Sequence, residues 1–62
     1  MNKYVVCFWD MVCGEEVEDI ARNADGSAML FNTKAEAEAK AMEFAEEYNN
    51  YYYVDVAPSW AY

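Results

Sequence analysis

The sequence predicts a two-layer α+β domain: a small antiparallel sheet in the order β-β-β-α-β, with one helix packed on one face. Three observations predict it. A run near the start is apolar on both faces, residues 34–48 form a strongly helical block behind a capping box, and residues 51–56 alternate like a strand.

Residues 3–10 read as the first strand. Tyr4, Val6 and Phe8 project to one face and Val5, Cys7 and Trp9 to the other, so both faces are apolar, as in a central strand. The stretch from Asp10 to Glu16 contains Gly14 and reads as a turn. Residues 15–24 fit two patterns. Val17, Ile20, Ala21 and Ala24 follow helical spacing, with acids in front and Arg22 near the end. The alternative is a strand over 17–22, a turn at Asn23-Ala24-Asp25-Gly26 and a return strand over 27–31; Asp25-Gly26 is a hairpin dipeptide and favours this reading.

The helix begins at a capping box, with Thr33 as N-cap and Glu36 at the third helical position. Ala37, Ala41, Phe44, Ala45 and Tyr48 share one side at 3.6-residue spacing, so that side is expected on the sheet, with Phe44 and Tyr48 giving most of the burial. Asn49-Asn50 ends the helix, because Asn accepts the left-handed cap conformation. In the last strand Tyr52, Val54 and Val56 form one face, and Tyr51, Tyr53 and Asp55 the other. Residues 58–62 form an aromatic tail beginning at Pro58, and residues 1–62 read as one domain. One helix covers one face of a sheet. The other face is then either an aromatic interaction surface or is covered by Trp60 and Tyr62 folding back.

Charge narrows the function. Twelve carboxylates against four cations give a net charge of −8 and a pI near 4.1. Four cations cannot neutralise a phosphate backbone, so no direct nucleic-acid binding is expected. An anionic membrane repels such a chain, and no apolar stretch approaches the roughly 20 residues of a membrane span. The opening apolar run lacks a small-residue cleavage site, which points to a cytoplasmic protein. Cys7 and Cys13 are then reduced, two small side chains rather than a disulfide framework.

Catalysis has little to work with. The chain has no His, the commonest general base. Ser27 and Ser59 lack an activating context, and Cys13-Gly14 has no Cys-x-x-Cys partner. Two cysteines without His cannot complete a tetrahedral zinc site, and the acids lack the calcium-loop spacing. The expectation is a non-enzyme without cofactor or metal.

The carboxylates fall into two groups. Asp10, Glu15, Glu16, Glu18, Asp19 and Asp25 surround Arg22. On the helix, Glu36, Glu43 and Glu47 form a stripe with axial gaps of about 10 and 6 Å. This stripe is not arranged for helix stability. Glu36 and Lys40 are a favourable pair, but Glu43 and Glu47 repel, and Glu46 and Glu47 sit at the negative end of the helix dipole. A solvated acidic face explains this equally well. The functional reading is charge mimicry of nucleic acid, in which Lys and Arg of a basic nucleic-acid-binding protein pair with carboxylates in place of phosphates. Trp9, Tyr51 and Tyr53 would add the desolvated anchors. The alternative is a small assembly module that dimerises or docks through the aromatic sheet face.

The run Ile20-Ala21-Arg22-Asn23-Ala24-Asp25-Gly26-Ser27, followed by Phe31-Asn32-Thr33-Lys34-Ala35-Glu36-Ala37-Glu38-Ala39, resembles small phage and mobile-element domains. In those, a hairpin leads into a Phe-x-Thr-x-x-Glu-Ala helix. The resemblance covers residues 20–45 and implies the hairpin at 17–31. In size and acidity the chain is also similar to anti-CRISPR proteins that mimic DNA. That group shares no common motif, so the resemblance transfers no residue by position. It implies an inhibitor of a CRISPR effector complex.

Overall fold

The computed structural model describes residues 2–61; Tyr62, and with it the end of the expected aromatic tail, lies outside the described residues. The fold is α+β, a three-stranded antiparallel sheet of order β2-β1-β3 with one helix on one face. Strand β1 (Tyr4–Val12) is central, flanked by β2 (Glu15–Ile20) and β3 (Tyr52–Val56), and α1 (Lys34–Tyr48) connects the β2 side to β3.

The first hairpin is longer and tighter than the sequence suggested. β1 runs on to Val12 and β2 begins at Glu15, so the turn is only Cys13-Gly14. Both residues have positive φ, 53° and 82°. This backbone matches the twist of the paired strands, and Gly supplies it without a Cβ clash. The residues expected to turn, Asp10 to Val12 and Glu15 to Glu16, are therefore paired strand, with Met11 opposite Glu16. The helical alternative for 15–24 does not form, because pairing with β1 satisfies the backbone of β2.

The expected return strand over 27–31 is reduced to two isolated bridges, Arg22 with Ala28 and Tyr4 with Phe31. The Asp25-Gly26 turn does form. Gly26 donates to the Asn23 carbonyl at 3.0 Å, Asn23 donates to the Ser27 carbonyl at 2.8 Å, and the Ser27 amide and hydroxyl donate to Asp25 Oδ1 at 3.0 and 2.6 Å. Those bonds hold the Asp25 carboxyl below the usual carboxylate range, the Ser27 hydroxyl contributing most. Beyond the turn, side chains are divided between two cores: Ala28 and Leu30 pack on one face of the sheet and Phe31 on the other. A segment shared in this way cannot pair continuously with one strand. The element order is accordingly β-β-α-β.

The helix boundaries follow the capping chemistry. Thr33 Oγ1 accepts from the Glu36 amide at 3.2 Å, and Asn49 caps the end with φ 51°. Ala37 and Ala41 are buried, and α1 rests on β1 and β3, leaving β2 uncovered. Phe44 packs against this core, but Tyr48, expected to share the burial, is 60% exposed and meets Phe44 with its ring plane tilted by 43° and ring centroids 6.0 Å apart. It lines an open groove with Phe8, Phe44 and Tyr52 rather than entering the core.

Two small cores result. Val6, Ala21, Ala37 and Ala41 lie between helix and sheet, and Val5, Cys7, Ile20 and Ala57 lie on the opposite face. Val5 and Val6 are the largest fully buried side chains, each contributing roughly 1.5–3 kcal/mol. The tail does fold back over the second face, but through Ala57 and Ala61; Trp60, in a short 3-10 turn (Ser59–Ala61), stays 63% exposed. That face is thus covered at the Val5 end and open at the Trp9 end.

Candidate partner-binding surface

Strand register decides which of the predicted residues meet. Residues directly opposite in an antiparallel pair project to the same face. On the face away from the helix, Trp9 lies opposite Glu18, Met11 opposite Glu16, and Cys7 between Ile20 and Tyr53. Tyr51 precedes β3 but keeps its alternation, and its ring stacks on Tyr53 at 5.9 Å with 24° between planes. Five of the expected site residues (Trp9, Glu16, Glu18, Tyr51 and Tyr53) therefore share one surface. Trp9, Met11 and Tyr51 are 48%, 64% and 69% exposed, an unusual density of large apolar side chains for a free surface.

This surface is tied together from beneath. The Tyr53 hydroxyl donates to the Glu18 carboxylate in a hydrogen bond that crosses the central strand. Tyr53 packs on the core that contains Cys7, which is 4% exposed. Burial, with the negative charges of Glu18 and Asp55 adding to it, pushes the Cys7 thiol up to about 11. Cys7 is a protonated core side chain, and Cys13 is exposed at the hairpin tip; both are free.

The remaining acids lie elsewhere. By register Asp10, opposite Val17, Glu15, opposite Val12, and Asp19, opposite Phe8, belong to the helix side of the hairpin, although Asp19, on an edge strand, pairs with Arg22 at the rim of the opposite face. On the helix side Asp10 approaches the end of α1: burial chiefly, then neighbouring Tyr48 and the charges of Asp10 and Glu47, raise the Tyr52 phenol. Asp10 of the hairpin and Glu47 of the last helical turn thus make one anionic end, and no basic residue occupies the last turn of α1. The cations Lys3 and Lys34 lie at the opposite end, near Asn32 and Tyr4 respectively.

The expected helix stripe does not act as a unit. Lys40 pairs with Glu43 at 3.2 Å, not with Glu36, and its ammonium lies 5.3 Å from the Phe44 ring. Glu36 sits at the helix start, in the turn that also carries Lys34. Of the stripe, only Glu47 joins the anionic end. Asp25 is a turn residue engaged by Ser27 and also stands apart.

Sequence reasoning passed over Met11, Asp55 and Trp60 as site residues. Asp55 alternates with Tyr51 and Tyr53, a signal that was sufficient to place it on this face. Trp60 is positioned by Arg22, whose guanidinium lies 5.8 Å from its ring centroid, and no sequence pattern indicates that contact. Among the described residues no three carboxylate or thiol groups gather as metal ligands, and no helix is long and apolar enough to cross a membrane. No family model, curated protein or solved structure matches this chain.

Proposed function

We propose that this chain is an acidic protein-binding inhibitor that occupies the nucleic-acid-binding surface of a basic partner. The observation that carries the reading is the meeting of Trp9, Tyr51 and Tyr53 with Glu16 and Glu18 on the sheet face that the helix leaves free. Glu16 and Glu18 are two residues apart on one strand, about 6.8 Å. That is about twice the axial spacing of phosphates along one strand of duplex DNA. Lysines and arginines arranged to hold a phosphate backbone can pair with such carboxylates through charge-assisted hydrogen bonds. The three aromatic rings supply apolar area that carboxylates lack, the kind of anchor on which interface energy concentrates. The uncompensated acids of the hairpin and helix end add long-range steering, which speeds association and weakens with salt. A CRISPR effector complex, the partner class implied by the resemblance noted above, is the first to assay.

The test is capture of partner proteins on the immobilised chain from a host lysate, repeated with duplex DNA as competitor and at raised salt. The reading expects captured proteins that bind nucleic acid, are released by DNA, and are lost with Glu16→Lys/Glu18→Lys. Capture that ignores both DNA and salt and depends only on Trp9 contradicts it and supports an assembly module docking through its aromatic face.

A further inference from the structure

Beside the aromatic surface, under the C-terminal turn, a pocket of about 370 Å³ opens on the same face of the sheet. Its floor is the buried apolar trio Val5, Cys7 and Ile20; the carboxylates of Glu18 and Asp55 flank it, and Trp60 stands at its edge. A floor of this kind suits an aliphatic stem, and flanking carboxylates suit a cationic head. The Cys7 thiol responds to the charges of both Glu18 and Asp55, so their fields converge on the floor.

The molecule already shows what the rim accepts. The Arg22 guanidinium lies 5.8 Å from the Trp60 ring centroid and 3.5 Å from Asp19. Side chains on both sides of that ion pair are more than two-fifths exposed, 45% and 43%, so the pair is weak; the guanidinium also donates to the Gly26 carbonyl at 3.2 Å, an exposed bond that an exchange gives up as well. Among the described residues, ion pairs engage Asp19 and Glu43 but neither Glu18 nor Asp55; Glu18 Oε2 accepts from the Tyr53 hydroxyl and Asp55 Oδ1 from the Val56 amide, which leaves each carboxylate its other oxygen for an incoming cation.

We propose that this pocket receives an arginine side chain of the partner protein, its stem over Val5 and Ile20, its guanidinium between Asp55 and Glu18 and against Trp60, in exchange for Arg22. Arginine fits better than lysine because a planar guanidinium stacks on an indole face while forking to a carboxylate. This assignment rests on the reading of the chain as a binder of basic proteins, and it names the group recognised.

The probe is a fluorescein-labelled hexa-arginine peptide, followed by anisotropy, with hexa-lysine as its pair and the Trp indole NMR signals as a site report. The Trp60 indole signal should move on titration, hexa-arginine should bind at least threefold tighter than hexa-lysine, and Asp55→Asn and Trp60→Ala should each weaken it at least fivefold. Glu38→Gln, on the helix and outside the pocket, should weaken it less than twofold, and Arg22→Gln, which removes the resident cation but keeps a hydrogen-bonding amide, should tighten it. All four positions are exposed, and an unchanged melting curve checks that each variant stays folded. Equal losses from Asp55→Asn and Glu38→Gln, a static Trp60 indole, or equal binding of the two peptides overturn the pocket while leaving the basic-partner reading standing. Failure of both peptides to bind at low salt, together with capture that ignores DNA, overturns both.

Discussion

Tyr53 and Glu18 are joined across the whole width of the sheet. Tyr53 is on one edge strand, Glu18 on the other, and the phenol hydroxyl donates to the carboxylate over the central strand. This bond closes Cys7 beneath the Tyr53 ring and fixes one acid of the candidate surface in place.

Removing the hydroxyl with Tyr53→Phe should lower stability by about 0.5–1.5 kcal/mol, the net value of a partly solvated hydrogen bond. Urea unfolding checks the loss. The ring stack on Tyr51 should survive, so a collapse of the aromatic circular-dichroism signal contradicts this account of the bond.

The two cysteines should differ in reactivity. Cys13 at the exposed turn should react with a thiol reagent at the rate of a free peptide, and Cys7 only as fast as the fold opens. The alkaline limb follows by linkage. An unfolded thiol titrates near 8.5, and in the folded chain Cys7 is held at about 11, so from about pH 8.5 upward the unfolded state sheds a proton that the folded state keeps. Stability should fall with rising pH across that window, and Cys7→Ala should flatten the fall. An identical slope in the variant would contradict the assignment.

The Cys13-Gly14 turn predicts a stabilising change. Both positions have positive φ, which Asn tolerates better than Cys and which Gly adopts freely. Cys13→Asn should raise stability by a few tenths of a kcal/mol, and Gly14→Ala should lower it by about 1 kcal/mol. Thermal unfolding of the pair is the check; a destabilised Cys13→Asn variant contradicts the turn assignment.

The helix end separates stability from binding. Glu46→Lys/Glu47→Lys puts cations at the negative end of the dipole and should stabilise the helix by roughly 0.3–1 kcal/mol per charge. The same change reduces the anionic end and should slow association with a basic partner, more so at low salt. A variant that is more stable and also binds as fast as the parent would show that this end does not steer.

Much of the fold was legible because its signals are local. Thr33, Glu36 and Asn49 mark the helix by capping chemistry, and β1 reads as central because no polar side chain interrupts either face before Asp10. The hairpin turn was placed at Gly14 but drawn too wide, because Cys-Gly is a poor advertisement for a two-residue turn that Gly14 and pairing with β2 jointly impose. The return strand was over-read: Ala28 and Phe31 do bridge, but tertiary packing splits their neighbours between two cores. At the candidate site, alternation alone placed Trp9, Tyr51 and Tyr53. What alternation could not supply was the register between strands. Register brings Glu16 and Glu18 to the aromatic face and sends Asp10, Glu15 and Asp19 to the other, and it depends on the turn that was drawn too wide.

The most direct test of the central claim is association of the chain with a partner captured in a DNA-releasable manner, measured by titration calorimetry between 50 and about 500 mM salt, a range over which electrostatic screening changes severalfold. The account predicts affinity that falls steeply with salt, is lost in Trp9→Ala/Glu16→Lys/Glu18→Lys, is unchanged in Glu36→Lys, and is abolished when duplex DNA saturates the partner. A complex that forms equally well on the DNA-saturated partner would contradict it.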